Sequence, residues 1–183
     1  MKYEIEKWFQ EINFRPSEDE LKSTLSFFSD DREAVRMQVE NLSWDATPEE
    51  QQQAIEYLAE NLLPQEYVFL IMTCKFSLAP YDDQEPFFQV EGGKARWENA
   101  AKTIVKIGWP KVNHILVPMF FWLIDSNWPG SIIIWDFFLT LPKIVLEEKV
   151  KEIINNPKNY SEIDYIDLKK QINTLCEDAG ITL

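Results

Sequence analysis

The stretch Trp122-Leu-Ile-Asp-Ser-Asn-Trp-Pro129 is the most informative part of this chain for predicting its fold. It places an aromatic helix end, a polar turn and a new helix start within a few residues. Because the residue before a proline avoids the helical region, Trp128-Pro129 marks a boundary between two helices. Asp125 is expected to end the first helix, and Asn127 is expected to cap the second. The stretch therefore predicts the joint of a helical hairpin.

Helical signals continue on both sides of this joint. Apolar residues recur at helical spacing along most of the chain, for example from Trp97 to Val105. Capping boxes at Ser17 to Glu20 and at Thr47 to Glu50 indicate helix starts. Pro118 is expected to kink the helix that contains it. The predicted helices cover residues 3–12, 17–28, 31–43, 48–62, 64–74, 94–108, 110–125, 129–140, 143–155 and 161–178.

The spacing of these helices predicts the architecture. The connections are short from residue 48 onward, and short connections make consecutive helices antiparallel neighbours. The predicted fold is all-α, with HEAT- or armadillo-like helix pairs in an α-α superhelix or, alternatively, a compact helical bundle. We expect one helical domain over residues 1–183. Its parts are N-terminal helices (1–46), a helix pair (47–74), an aromatic and acidic loop (75–93), motif-bearing helix pairs (94–156) and a C-terminal capping helix (157–183).

The charge of the chain bears on its partners. The formal net charge is −13. Nucleic acid and anionic membrane surfaces attract clustered Lys and Arg, so neither is an expected partner. A basic protein or peptide would be attracted by an acidic chain, although solubility alone can also explain the charge.

Cysteine usage and targeting signals exclude other classes. Cys74 and Cys176 form no CxxC motif, and with a single histidine they do not supply a zinc site of the usual spacing. No metal or other cofactor is expected. The N-terminus lacks the apolar core of a signal peptide, and the longest apolar run, 115–124, is about half a membrane span. These features predict a cytoplasmic protein.

The segment 75–93 interrupts the helical pattern. It contains prolines, two adjacent glycines, aromatic residues and several acids. Long loops in compact domains are uncommon and often functional, which makes Tyr81, Asp82 and Asp83 candidate binding residues. The alternative is a connector whose aromatic residues pack beneath the core.

No catalytic signature occurs in the chain. The motifs of serine hydrolases, phosphate-binding loops, zinc proteases and dinucleotide-binding folds are all missing. His114 precedes an apolar run, where a structural histidine is the ordinary case.

The remaining polar candidates lie around the joint. Asp136 stands among large apolar residues, so its carboxylate must face solvent, pair or titrate abnormally. An outward position is one interpretation. The other is an aromatic-lined groove that combines acids with tryptophans. The candidate binding residues of this region are Trp122, Asp125, Asn127, Trp128, Trp135 and Asp136.

Three short motifs resemble a known family. Trp97-Glu-Asn-Ala-Ala-Lys102, Trp122-Leu-Ile-Asp125 and Asn127-Trp-Pro129 are similar to an uncharacterised bacterial family of HEAT-like α-helical proteins. Its pattern pairs a Trp-Leu-x-Asp element with Asn-Trp-Pro between two helices, and the resemblance covers roughly 94–156. The family pattern has Gln where this chain has Ile124. The resemblance implies helical repeats and brings no catalytic residues. Related small families include immunity proteins that neutralise toxins.

Together these observations predict a non-enzymatic protein-interaction module, in its finer form an immunity-type protein that binds a basic partner. A carboxylate-dependent enzyme with a groove near Asp125 and Asp136 is the alternative. A structural subunit that self-associates through exposed tryptophans is a third possibility.

Overall fold

A computed structural model describes residues 6–73 without 8 and 11, together with 93–157, 160 and 162–182. Over these ranges the chain is helical and contains no strand, which confirms the predicted all-α class. The α-helices are α1 (Glu18–Leu25), α2 (Glu33–Glu40), α3 (Pro48–Asn61), α4 (Val68–Met72), α5 (Trp97–Ile107), α6 (Leu116–Met119), α7 (Ser131–Thr140), α8 (Lys143–Asn155) and α9 (Glu162–Asp178). Short 3-10 helices occur at Ser26–Phe28, Asp30–Arg32, Pro64–Glu66, Gly93–Arg96, Asn113–Ile115 and Phe120–Leu123.

Two helix starts follow the capping boxes predicted from the sequence. Ser17 accepts a hydrogen bond from the N–H of Glu20, and the Glu20 carboxylate accepts one from the N–H of Ser17 at 2.8 Å. Thr47 and Glu50 repeat this arrangement at the start of α3, again with 2.8 Å between the Thr47 nitrogen and the carboxylate. Pro48 occupies the first turn of α3, where its missing N–H leaves no bond unmade. Both predictions are confirmed.

The centre of the fold is α5. It packs against α3 and α4 on the N-terminal side of the molecule and against α7 on the other. Ala100, Ala101 and Ile104 of α5 are fully buried, and the small alanines let the neighbouring helices approach closely. The packing around α5 is therefore compact, and a HEAT-like repetition of helix pairs stays a prediction.

The prediction of one kinked helix over residues 110–125 is wrong. The chain instead passes through the 3-10 helix Asn113–Ile115, the single turn α6 and the 3-10 helix Phe120–Leu123. Pro118 lies within the first turn of α6, where helical N–H groups have no intrahelical partner anyway. Every described apolar residue from Ile115 to Ile124 is buried, so this run is apolar on all sides and has no solvent face. Among the described residues, no helix combines the length and apolar character needed to span a membrane.

Two ion pairs tie distant parts of the N-terminal half together. Arg32 binds the fully buried carboxylate of Glu66, with 2.8 Å between its Nε and Oε1. Glu66 also accepts the N–H of Leu63 at 2.8 Å. Arg96, just before α5, pairs with Glu40 at the end of α2. These contacts hold α2, α3 and the Pro64–Glu66 turn in place, and so fix the surface that α3 presents to solvent.

Candidate functional site

The tryptophan motif forms part of the core. Trp122 has no exposed surface, and its indole N–H donates to the carbonyl of Pro129 at 3.1 Å. Both other rings of the motif pack near the ring of Trp97 on α5. The centroid of the Trp97 ring lies 5.5 Å from that of Trp122 and 4.7 Å from that of Trp128. The expectation that Trp122 lines a groove is therefore wrong. Its large apolar ring is stabilised by burial, and its one polar atom is satisfied by the next turn.

Gly130 completes this packing. Its φ of +83° is a conformation that residues with a side chain adopt at a cost. A Cβ at this position would stand 2.8 Å from the Cβ of Ala101 and 3.0 Å from the carbonyl oxygen of Trp97. Gly130 therefore allows the start of α7 to rest directly on α5, and the turn has a structural role.

The polar turn between the two tryptophans differs from the predicted cap. The Asp125 Oδ1 accepts the backbone N–H of Asn127 at 2.9 Å and its side-chain amide at 3.0 Å. The N-cap of α7 is Gly130, without a side-chain hydrogen bond. The prediction that Asn127 caps this helix is wrong, because the chain makes a further turn at Trp128–Gly130 before α7 begins. Asp125 stabilises the turn as its acceptor.

The other predicted site residues lie apart from this turn. Asp136 is exposed on the outer side of α7, and Trp135 is half-buried beside it. The outward interpretation of Asp136 is therefore confirmed. Tyr81, Asp82 and Asp83 lie outside the described residues.

The side chains that could bind a metal ion or act as nucleophiles do not cluster in the part of the chain that the structure describes. No group of three or more His, Cys, Asp or Glu side chains there could hold a metal ion. Burial raises the pKa of the Cys176 thiol, so it stays protonated near neutral pH. His114 lies with its Nε2 2.8 Å from the carbonyl oxygen of Pro64 and its ring 5.7 Å from that of Tyr67, which is a structural arrangement.

A solvent-facing surface on α3 and the preceding loop has the chemistry of a binding site. Its carboxylates and aromatic rings are exposed, with 57% of Trp44 and 37% of Tyr57 accessible to solvent. We call this surface the acidic face and define it by Trp44, Asp45, Glu49, Glu56, Tyr57 and Glu60.

The spacing along α3 explains the acidic face. Glu49, Glu56 and Glu60 are separated by seven and four residues, so they lie along one side of the helix. Ala54 and Leu58, on the opposite side, are fully buried. The amphipathic pattern of α3 therefore directs its acids outward and holds them on a rigid element. The turn before α3 is tied down as well, because the Gln51 side chain donates to the carbonyl of Ala46 at 2.8 Å.

The acids of this region separate into two groups. From Met37 to Thr73 the sequence contains no Lys, Arg or His, yet it contains seven acids. Glu40 and Glu66 pair with arginines from elsewhere in the chain. Within the described residues, none of the ion pairs involves a carboxylate of the acidic face. Sequence reasoning missed this surface, although the long interval without a basic residue was its signal.

A cleft of about 680 Å³ lies on another part of the molecule. Its walls come from the segment before α1, from α1, from the Pro64–Glu66 turn, from the 113–118 region and from α8. Among the described residues, none of the site residues predicted from the sequence lines it. The lining residues are Asn13, Phe14, Arg15, Pro16, Glu20, Ser23, Thr24, Pro64, Gln65, Asn113, His114, Val117, Pro118, Lys149, Glu152 and Asn156.

Comparisons of the chain with protein-family models, with curated proteins and with solved structures gave no match.

Proposed function

We propose that this chain is a non-enzymatic interaction module that binds a basic protein through the acidic face. The observation that carries the proposal is the exposure of Trp44 and of the α3 carboxylates within a stretch, from Met37 to Thr73, that contains no basic residue. Exposed tryptophan with surrounding charge is the composition of a protein-binding surface, because Trp is a frequent energetic anchor at interfaces.

The two kinds of residue contribute at different stages of binding. The carboxylates of Glu56 and Glu60 act at a distance and speed the approach of a positively charged partner. The ring of Trp44 acts after contact, when its burial slows dissociation. Because the part of the face from Glu49 to Glu60 belongs to a capped helix, little backbone conformational entropy is lost there when the face is occupied.

The finer form of the proposal is an immunity-type role, in which the basic partner is a toxin. Its support is the resemblance of the Trp122–Pro129 region to a bacterial HEAT-like family, together with the negative charge of the chain. We propose bacterial origin and a cytoplasmic location on the same basis. A toxin held on the acidic face would be neutralised by occlusion, without any reaction carried out by this chain.

The experiment begins by capturing partners from an extract with the immobilised protein. The purified partner is then used to measure association and dissociation rates at increasing salt. We expect a basic partner whose on-rate falls as salt rises, because screening shortens the reach of the carboxylates. Trp44→Ala should raise the off-rate about thirtyfold, which corresponds to about 2 kcal/mol for a buried anchor.

A pair of charge variants provides the control. Glu56→Gln with Glu60→Gln removes two charges from the acidic face, and Glu177→Gln with Asp178→Asn removes two exposed charges from α9. The first pair should slow association several-fold more than the second. Equal slowing by both pairs, or recovery of partners that are not basic, contradicts the proposal. Turnover of a small substrate that is lost in Asp125→Asn or Asp136→Asn would instead favour the carboxylate enzyme.

A further inference from the structure

The cleft is lined by two basic side chains, Arg15 and Lys149, and by two carboxylates, Glu20 and Glu152, so their formal charges cancel. The side chain of Lys149 is only 16% exposed, and its ammonium lies 3.2 Å from Glu148 and 3.6 Å from Glu152. The Glu20 carboxylate accepts the N–H and hydroxyl of Ser17 at 2.8 and 2.7 Å. A charged ligand would have to compete with these contacts. The balance of charge in the cleft therefore favours an uncharged ligand.

Several neutral polar groups in the cleft keep unused hydrogen-bonding capacity. Among the described residues, no hydrogen bond involves the side-chain amide of Gln65 or of Asn113. Each carboxamide can donate and accept at once. Because the carbonyl of Pro64 can only accept, the Nε2 of His114 carries the hydrogen, and in the neutral ring Nδ1 remains an acceptor.

Part of the wall is apolar. Phe14, Pro16, Pro64, Val117 and Pro118 contribute carbon surface to the same cleft. The volume of about 680 Å³ lies within the range of about 300–1,000 Å³ that is typical of ligand pockets. A wall that combines this carbon surface with neutral donors and acceptors fits a ligand that has small side chains and repeated amide groups.

We propose that this cleft binds a short, uncharged peptide segment, whose backbone amides pair with the carboxamides of Gln65 and Asn113. A peptide unit has one N–H and one carbonyl, which matches the donor and acceptor of a carboxamide. The side chains of the segment lie against Phe14 and the prolines. This proposal is independent of the acidic face, because the two surfaces share no residue.

The test is a titration with N-acetyl-trialanine amide, an uncharged peptide, followed by NMR of the full chain. The side-chain NH₂ resonances of Gln65 and Asn113 should shift together and saturate. Gln65→Met and Asn113→Leu should each weaken binding about fivefold, the effect expected from one net hydrogen bond. Gln53→Met is the matched control, because Gln53 is an exposed amide on α3 outside the cleft, and it should leave the affinity unchanged.

A second peptide separates amide recognition from charge recognition. Replacing the central alanine with lactic acid removes one N–H, and this ester analogue should bind more weakly than the amide. The proposal is overturned if the wild-type resonances do not shift at any soluble peptide concentration. It is also overturned if free-ended trialanine binds more tightly than the blocked peptide and Lys149→Met abolishes that preference, since the cleft would then recognise charge.

Discussion

Trp122 and Trp44 are the same residue type in opposite surroundings. Trp122 is fully buried and donates its only N–H to Pro129, whereas 57% of Trp44 is exposed at the start of α3. The motif around Trp122 draws attention in the sequence, and its residues hold α5, α7 and the turn between them together. The loop around Trp44 contains no motif, yet it carries the exposed aromatic and acidic chemistry.

The comparison separates two kinds of sequence signal. Trp, Pro and Gly at fixed spacing indicate close packing. Pro restricts the backbone, Gly permits backbone conformations that other residues avoid, and Trp fills a large, definite volume. The proposed binding surface contains no such motif and is marked instead by an absence of basic residues. Between Met37 and Thr73 basic residues are missing, and the acids that remain outside the ion pairs face solvent.

The largest expected effect comes from truncating each tryptophan. Trp122→Ala should lower the free energy of unfolding by about 3–5 kcal/mol, because it leaves a cavity and removes a buried hydrogen bond. Trp44→Ala should change it by less than about 0.5 kcal/mol. Urea unfolding followed by circular dichroism measures both values. Equal losses in the two variants would remove the distinction between core and surface.

The next effect concerns the turn that follows Trp128. Gly130→Ala should cost about 3 kcal/mol, since it combines an unfavourable φ with overlap against Ala101. Gly180→Ala is the matched control, because Gly180 also has a positive φ but, among the described residues, a Cβ there would meet only Lys143, at 3.9 Å. The control should cost about 1 kcal/mol. If thermal and urea unfolding give the same loss for both glycines, the contact with α5 contributes nothing.

A smaller effect distinguishes the two groups of acids near the acidic face. Glu66→Gln should cost about 2 kcal/mol, because it removes the charge that strengthens the buried bonds to Arg32. Glu60→Gln, on the exposed side of α3, should be close to neutral for stability. In the binding assay the order reverses, and Glu60→Gln should have the larger effect on the on-rate. A large loss of stability in Glu60→Gln would show that the face has a structural role.

The smallest effect is the pH dependence contributed by the helix caps. Hydrogen bonds from the hydroxyl and N–H of Ser17 lower the pKa of Glu20, and the N–H and hydroxyl of Thr47 lower that of Glu50. Because both folded pKa values lie below the ordinary value of 4.5, the contribution to stability is present above that pH. It is lost as the pH falls through the folded pKa values.

Unfolding measured across this pH window checks the caps directly. Glu20→Gln with Glu50→Gln should flatten the fall in stability below pH 4.5. Thr47→Ala should flatten it in the same direction, because it removes the side-chain bond to Glu50. An unchanged slope in both variants would mean that these carboxylates titrate alike in the folded and unfolded chain.

Local signals predicted much of the fold. The capping boxes at Ser17 and Thr47 are formed by neighbouring residues, and they appear in the structure as predicted. The apolar run from Ile115 to Ile124 was wrongly predicted to belong to one long helix. In a run that is apolar throughout, helical spacing of apolar residues is present whether the segment is one amphipathic helix or is buried on every side. The prediction that Asn127 caps α7 was wrong for another reason. The extra turn before α7 depends on the contact of Gly130 with α5, which is distant in the sequence.

The candidate site was harder to predict than the fold. The role of Trp122 depends on Trp97, which lies far away in the sequence, and its burial could not be read from the motif alone. The cleft is built from four separate stretches of the chain, so only the folded chain brings Asn113 and Gln65 to one wall. The acidic face is the exception. It is local to α3 and its preceding loop, and a search for intervals without basic residues would have found it.

Amide hydrogen exchange of the complex with the captured basic partner locates the surface that the partner covers. Binding should add protection in the loop and first turns of α3, from Trp44 to Tyr57, with little change from Trp122 to Asp136. The amides of the loop should show the clearest gain, since those within α3 already form helical hydrogen bonds. Protection confined to residues 122–136, with the loop before α3 unchanged, would contradict binding through the acidic face and return the binding role to the tryptophan motif.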